Sequence, residues 1–153
     1  MIYEIKQDGK FKYIEEGNGE PLLLLHGLFG ALSNFAHLIE YFNKSYKVVV
    51  PMLPLLDLDL LHTSVGGLQK FVHKFIENRN YTSINLLGNS LGGHVALVHI
   101  LKHPERIKSL TLTGSSGLFE SGMGDTYPKR GDKEYIRNKT ALTFYDPAIA
   151  TDE

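Results

Sequence analysis

The residues best equipped for chemistry lie in two glycine-containing segments. The first, Gly88-Asn89-Ser90-Leu91-Gly92-Gly93, fits the pattern G-x-S-x-G. It falls between Ile84 to Leu87, an apolar run read as a strand, and Leu91 to Leu101, read as a helix. A serine on so sharp a strand-to-helix turn is held in a strained backbone conformation, with its hydroxyl pointing out from the carboxyl edge of the sheet. Gly88 and Gly92 must then be small, so that strand and helix can approach each other. Placed this way, Ser90 can attack a carbonyl carbon. The competing explanation is a glycine-rich connection with an incidental serine, and the strand–motif–helix context favours the nucleophile over it.

The second segment, His26-Gly27-Leu28-Phe29-Gly30, directly follows Leu22-Leu23-Leu24-Leu25. A loop there can aim a backbone N–H at the same site, and the amides of Leu28 and Leu91 would form an oxyanion hole. Negative charge develops on a carbonyl oxygen as it is attacked, and losing one such donor typically lowers the rate roughly 100- to 1,000-fold. Taken alone, His26 reads as a structural histidine bonded to loop backbone, not as a base.

These segments need a scaffold that puts both loops at one sheet edge. Ile2 to Gln7 and Lys10 to Glu15 alternate apolar and polar residues around Asp8-Gly9, which predicts an antiparallel hairpin. Leu22 to Leu25 is a continuous apolar run bounded by turn signals, as expected of a strand covered on both faces. Helical spacing recurs from Ser33, read as an N-cap, through Phe35, Leu38, Ile39 and Phe42, and Tyr46 to Val50 supplies a strand stopped by Pro51. Leu68, Phe71, Val72, Phe75 and Ile76 line one helix face after Thr63-Ser64, and Ile107 to Thr113 reads as a further strand after Pro104. Strands alternating with helices predict an α/β fold: a mostly parallel sheet, helices on both faces and an opening antiparallel hairpin. Beyond Ser115 the composition changes, with more glycine, a basic cluster at Lys129 and Arg130, and a weak helical pattern from Asp132 to Phe144.

Composition bounds what this scaffold can serve. A chain of 153 residues buries one ordinary core. Its formal net charge of -1 provides no overall field for nucleic acid or an anionic membrane. There is no cysteine, which excludes disulfides and thiolate chemistry. Met1 to Lys10 lacks the apolar run of a signal peptide, and the longest apolar stretches are too short to span a bilayer, so the expectation is a cytoplasmic protein. His94, His99 and His103 show no convincing metal-ligand pattern, Gly88 to Gly93 lacks the lysine of a phosphate loop, and no cofactor or metal is expected. Lys129, Arg130, Lys133, Arg137 and Lys139 read as a solvated face.

At this point the chain resembles the α/β-hydrolase family over nearly its whole length. The hairpin, the His26-Gly27 loop, the turn at Ser90, and His103-Pro104-Glu105-Arg106-Ile107 leading to Leu110-Thr111-Leu112-Thr113-Gly114 occur in the family's usual order. The resemblance implies that Ser90 is the nucleophile, with Asn89 and the neighbouring glycines supporting it. It also implies that residues 1–116 form the N-terminal part of the hydrolase core and residues 117–153 the start of a cap. Gly88 to Gly93 together with Gly114-Ser115-Ser116-Gly117-Leu118 resembles carboxylesterases and the carbon–carbon bond hydrolases of aromatic ring-cleavage pathways. Serine rather than aspartate at position 90 argues against a haloalkane dehalogenase. One stretch departs from the pattern: where many members carry Asp and Gly-x-Gly, this chain reads Pro51-Met52-Leu53-Pro54-Leu55-Leu56-Asp57.

A serine hydroxyl needs a histidine to take its proton and a carboxylate to orient that histidine, in the chain order Ser, acid, His. The histidines after Ser90 are His94, His99 and His103, on or at the end of the helix leading away from it. The expectation is therefore an incomplete triad, a fold truncated after about six strands, and a chain with little turnover of its own. The expected partner is a small ester-like substrate. Two alternatives stand beside this: a catalytically silent module that self-associates through an exposed sheet edge or its cap segment, and a carbon–carbon bond hydrolase.

Overall fold

The structure, a computed structural model, describes residues 3–28, 32–55 and 64–118, and Glu134 beyond them. The chain divides into Met1–Glu120 and Ser121–Glu153. The expected cap segment and basic cluster lie outside the described residues from residue 119 onward, save for Glu134.

The first unit is an α/β fold. Its strands are β1 (Lys6–Asp8), β2 (Phe11–Glu16), β3 (Glu20–Leu25), β4 (Tyr46–Pro51), β5 (Ile84–Asn89) and β6 (Ile107–Thr113), and its α-helices are α1 (Ala36–Phe42), α2 (Val65–Asn78) and α3 (Leu91–Lys102). The sheet has the order β1-β2-β4-β3-β5-β6. β1 and β2 form the predicted hairpin, turned at Gly9 with φ 56°. β2 joins β4 antiparallel, and the remaining neighbours are parallel.

The leucine run shows why a central strand reads as continuously apolar. Leu23 and Leu25 face one layer with Val72, Phe75 and Ile76 of α2 and Val95 and Ala96 of α3. Leu22 and Leu24 face the other, with Phe35 and with Ile39 of α1. Successive side chains alternate between faces, so two covered faces require apolar residues at every position.

Helix starts follow local chemistry only in part. Ser64 caps α2 as its type predicts, its hydroxyl accepting from the Gly67 amide at 3.1 Å. At α1 the expected start at Ser33 is corrected. A 3-10 turn (Leu32–Phe35) takes up that position and α1 begins at Ala36, with no side-chain cap. No helix among the described residues is long and apolar enough to cross a membrane.

Candidate active site

β5 ends at Asn89 and α3 begins at Leu91, so Ser90 alone turns the chain from strand to helix. It does so with φ 53° and ψ −120°. A left-handed φ at a non-glycine residue costs on the order of 1–3 kcal/mol and persists only where the surroundings hold it. Here β6 and α3 do the holding. The Ser90 amide donates to the Thr113 carbonyl at 3.0 Å, and the Ser90 carbonyl accepts from Gly93 at 3.0 Å, His94 at 3.2 Å and Ser116 at 3.4 Å. Asn89 Nδ2 donates to the Thr113 carbonyl at 3.1 Å and to Thr113 Oγ1 at 3.0 Å.

Close backbone approach makes this turn compatible with the sheet. A methyl group at Gly92 would collide with the Leu25 carbonyl, and one at Gly88 would lie 2.5 Å from Gly93 Cα. α3 is thereby packed end-on against β3 and β5, which brings the loop after β3 to the serine. A Cβ at Gly27 would be 3.1 Å from Ser90 Cβ.

Ser90 is exposed, with Leu91 next to it in the chain and the Gly27 backbone of the β3 loop beside its Cβ. The amide of Leu91, first in α3, has no intrahelical acceptor and stands at the positive end of the helix dipole. The serine's own amide is taken by Thr113. Leu28 follows Gly27 in the β3 loop, and its side chain is 56% exposed.

His26 is buried, and both of its ring nitrogens meet backbone. Nε2 accepts from the Leu53 amide at 3.0 Å, so Nδ1 carries the proton and donates to the Gly27 carbonyl at 2.9 Å. The ring ties the loop after β3 to the loop after β4. That second loop falls within the Pro51–Asp57 stretch that departs from the family pattern, of which Leu56 and Asp57 lie outside the described residues, and it contributes the Leu53 N–H here. Leu53 and Ser116 act through their backbone amides, and Thr113 through both its carbonyl and its hydroxyl.

The other histidines are held elsewhere. His73 on α2 stacks on His103 at 3.8 Å between ring centres, and His99 lies 5.2 Å from His103 and 5.8 Å from His73. Burial, then the neighbouring His103 and His73, lower the His99 pKa to about 4. His37 lies exposed on α1. His94 is half-buried, its ring against Gly117. Among the described residues no three His, Asp or Glu side chains are grouped to hold a metal ion.

A family model described as alpha/beta hydrolase fold matches residues 20–144. The chain belongs to that family. Within the alpha/beta hydrolases it is 31% identical over 140 residues to Lipase 1 of Psychrobacter immobilis, covering 87% of this chain and 43% of the lipase. It is also 31% identical over 117 residues to 2-hydroxy-6-oxo-6-(2'-aminophenyl)hexa-2,4-dienoic acid hydrolase of Metapseudomonas resinovorans, covering 70% of this chain and 39% of that enzyme. Among solved structures, the alpha/beta hydrolase enzyme MGS-MChE2 from a sediment metagenome of the Mar Chica lagoon, Morocco, superposes with a TM-score of 0.73 at 40% identity. That match covers 96% of this chain and 62% of the other. The chain thus spans about two-fifths of the length of these curated relatives.

Proposed function

We propose that this chain carries the nucleophile and oxyanion side of a serine hydrolase acting on ester-like carbonyls. The observation that supports it most is the Ser90 backbone, φ 53° and ψ −120° at the start of α3, held by hydrogen bonds from both directions. Strain maintained at one exposed hydroxyl is what a nucleophile on a strand-to-helix turn requires. Ser90 Oγ adds to the carbonyl carbon, the Leu28 and Leu91 amides stabilise the resulting oxyanion, and the alkoxide leaves to give an acyl-serine that water hydrolyses.

The base that accepts the serine proton is not among the described histidines. His26 is engaged at both nitrogens, His37 is exposed on α1, His94 lies against Gly117, and His73, His99 and His103 pack on one another; His62 lies outside the described residues. By the chain order Ser, acid, His, the 153-residue chain alone is expected to turn over little, the residual coming from binding and the oxyanion donors. Hydrolysis of a short aryl ester by the full-length protein tests the assignment. Ser90→Ala should reduce kcat by more than roughly 1,000-fold, and full activity in that variant would overturn it.

A carbon–carbon bond hydrolase is the second reading, favoured by the similarity to the Metapseudomonas dienoic acid hydrolase. Comparing an aryl ester with a vinylogous 1,5-diketone on the full-length protein separates the two.

A further inference from the structure

The end of β6 and the loop that leaves it meet the start of α3 at Thr113, Ser115, Ser116 and Gly117. Thr113 receives the Ser90 amide, and the Ser116 amide reaches the Ser90 carbonyl. Ser115 fills the space beside Gly93, where a Cβ would lie 2.5 Å from Ser115 Oγ. Gly117, with φ +84°, lies against the His94 ring: a Cβ there would be 2.5 Å from Cδ2 and 2.7 Å from both Cγ and Nε2. The residue that follows, Leu118, projects an apolar side chain that is 61% exposed.

Among the described residues, the hydrogen bonds of this loop reach as far as Ser116. Beyond it Gly117 lies on the flat His94 ring, and its left-handed φ lets the chain do so without a Cβ in between. The ring belongs to the helix turn that carries the nucleophile, so its position relative to Ser90 is set by the same helix. Because His94 is only half-buried, removing the ring frees the loop without emptying the core.

We propose that His94 is a positioning residue: its ring holds Gly117, and through it the Ser115–Leu118 wall beside Ser90, so that His94 governs how substrate is bound and not how the proton moves. This rests on the hydrolase assignment above. Leu118 then presents an apolar surface to the substrate, and esters with apolar groups should feel the loss of the ring most.

The experiment uses aryl esters of increasing acyl length with the full-length protein. His94→Ala should raise KM roughly five- to tenfold for the longer apolar esters, leave kcat within about twofold and keep the pH–rate profile unchanged. His94→Phe, which retains a flat ring, should restore KM. Gly117→Ala should raise KM by itself, and adding His94→Ala should not make it proportionally worse, because both changes break one contact. Backbone hydrogen exchange at residues 114–118, faster in His94→Ala and normal in His94→Phe, reads the loop independently of activity. If Ser90→Ala leaves hydrolysis intact, the hydrolase assignment fails while the exchange result still stands. Unchanged KM and unchanged exchange in His94→Ala would overturn the proposal, as would a fall in kcat with a lost pH limb, which would make His94 an acid–base group.

Discussion

The Thr113 carbonyl receives both the Ser90 amide at 3.0 Å and the Asn89 side chain at 3.1 Å. Two donors from adjacent residues of the turn converge on one acceptor of the neighbouring strand, and Asn89 and Thr113 are register partners. The strained serine is thus anchored to β6 as well as to its own helix. Asn89→Ala removes its bonds to both the carbonyl and the hydroxyl of Thr113 and should destabilise the protein by about 1 kcal/mol. Thr113→Val, which deletes only the hydroxyl acceptor, should cost less. Urea unfolding of the two variants checks the order.

Glycines in the same sheet–helix layer should respond in opposite directions. At Gly92 a methyl group meets the backbone carbonyl of Leu25, and neither side can give way, so Gly92→Ala should cost about 3 kcal/mol or more. At Gly66, in the first turn of α2, the nearest atom to an added Cβ is Ser64 Oγ at 3.8 Å. Gly66→Ala should stabilise by about 0.5 kcal/mol through helix propensity. Thermal melts of both variants give the two signs directly.

Acid should weaken the packing of α2 on α3 through His99. Gln69 Oε1 accepts from Lys102 at 3.4 Å, which turns Gln69 Nε2 toward His99 Nδ1 at 3.3 Å. Nδ1 is then the acceptor, and a second proton must enter there at the expense of that bond. The folded pKa of about 4 lies below the ordinary 6.5. The unfolded chain therefore binds the proton first, so stability is full above pH 6.5 and is lost as pH falls toward 4. The loss should be no more than about 3 kcal/mol. Urea midpoints at pH 7.5 and 4.5 should draw closer together in His99→Leu, and an unaltered difference would remove His99 as the cause.

Much of this fold is legible in residue types. The hairpin at Asp8-Gly9, the apolar strand at Leu22 to Leu25 and the Ser64 cap all depend on local chemistry, and each is found where that chemistry puts it. What the sequence hides depends on contacts across the chain. Ser33 has the type of an N-cap, yet the chain takes a 3-10 turn there before α1. His99 and His103 share a helix face by their spacing, but His73 reaches them only because α2 packs beside α3. In the candidate site, G-x-S-x-G marks the turn, whereas Leu53 and Ser116 take part through backbone amides that most side chains would leave in place.

Arg79 closes the hairpin onto α2. Its guanidinium bonds Glu15 at 2.9 Å and covers the Tyr13 ring at 4.9 Å, while the Tyr81 hydroxyl donates to the same carboxylate at 3.2 Å. Against its partial burial, Arg79, Tyr81 and Lys6 hold the Glu15 pKa below the usual carboxylate value. Arg79→Leu should cost about 2 kcal/mol by leaving that carboxylate poorly paired, and Arg79→Lys should recover only part because it lacks the planar fork. Chemical unfolding at neutral pH checks both.

Covalent capture tests most directly whether Ser90 is a nucleophile. The full-length protein, treated with an aryl alkylphosphonate ester and digested, should carry one phosphonyl adduct, on the peptide containing Ser90, and hydrolysis should fall in step with labelling. Ser90→Ala should take up no label. An adduct on another residue that accompanies loss of activity, or an unlabelled Ser90 in protein that the reagent has inactivated, would contradict it.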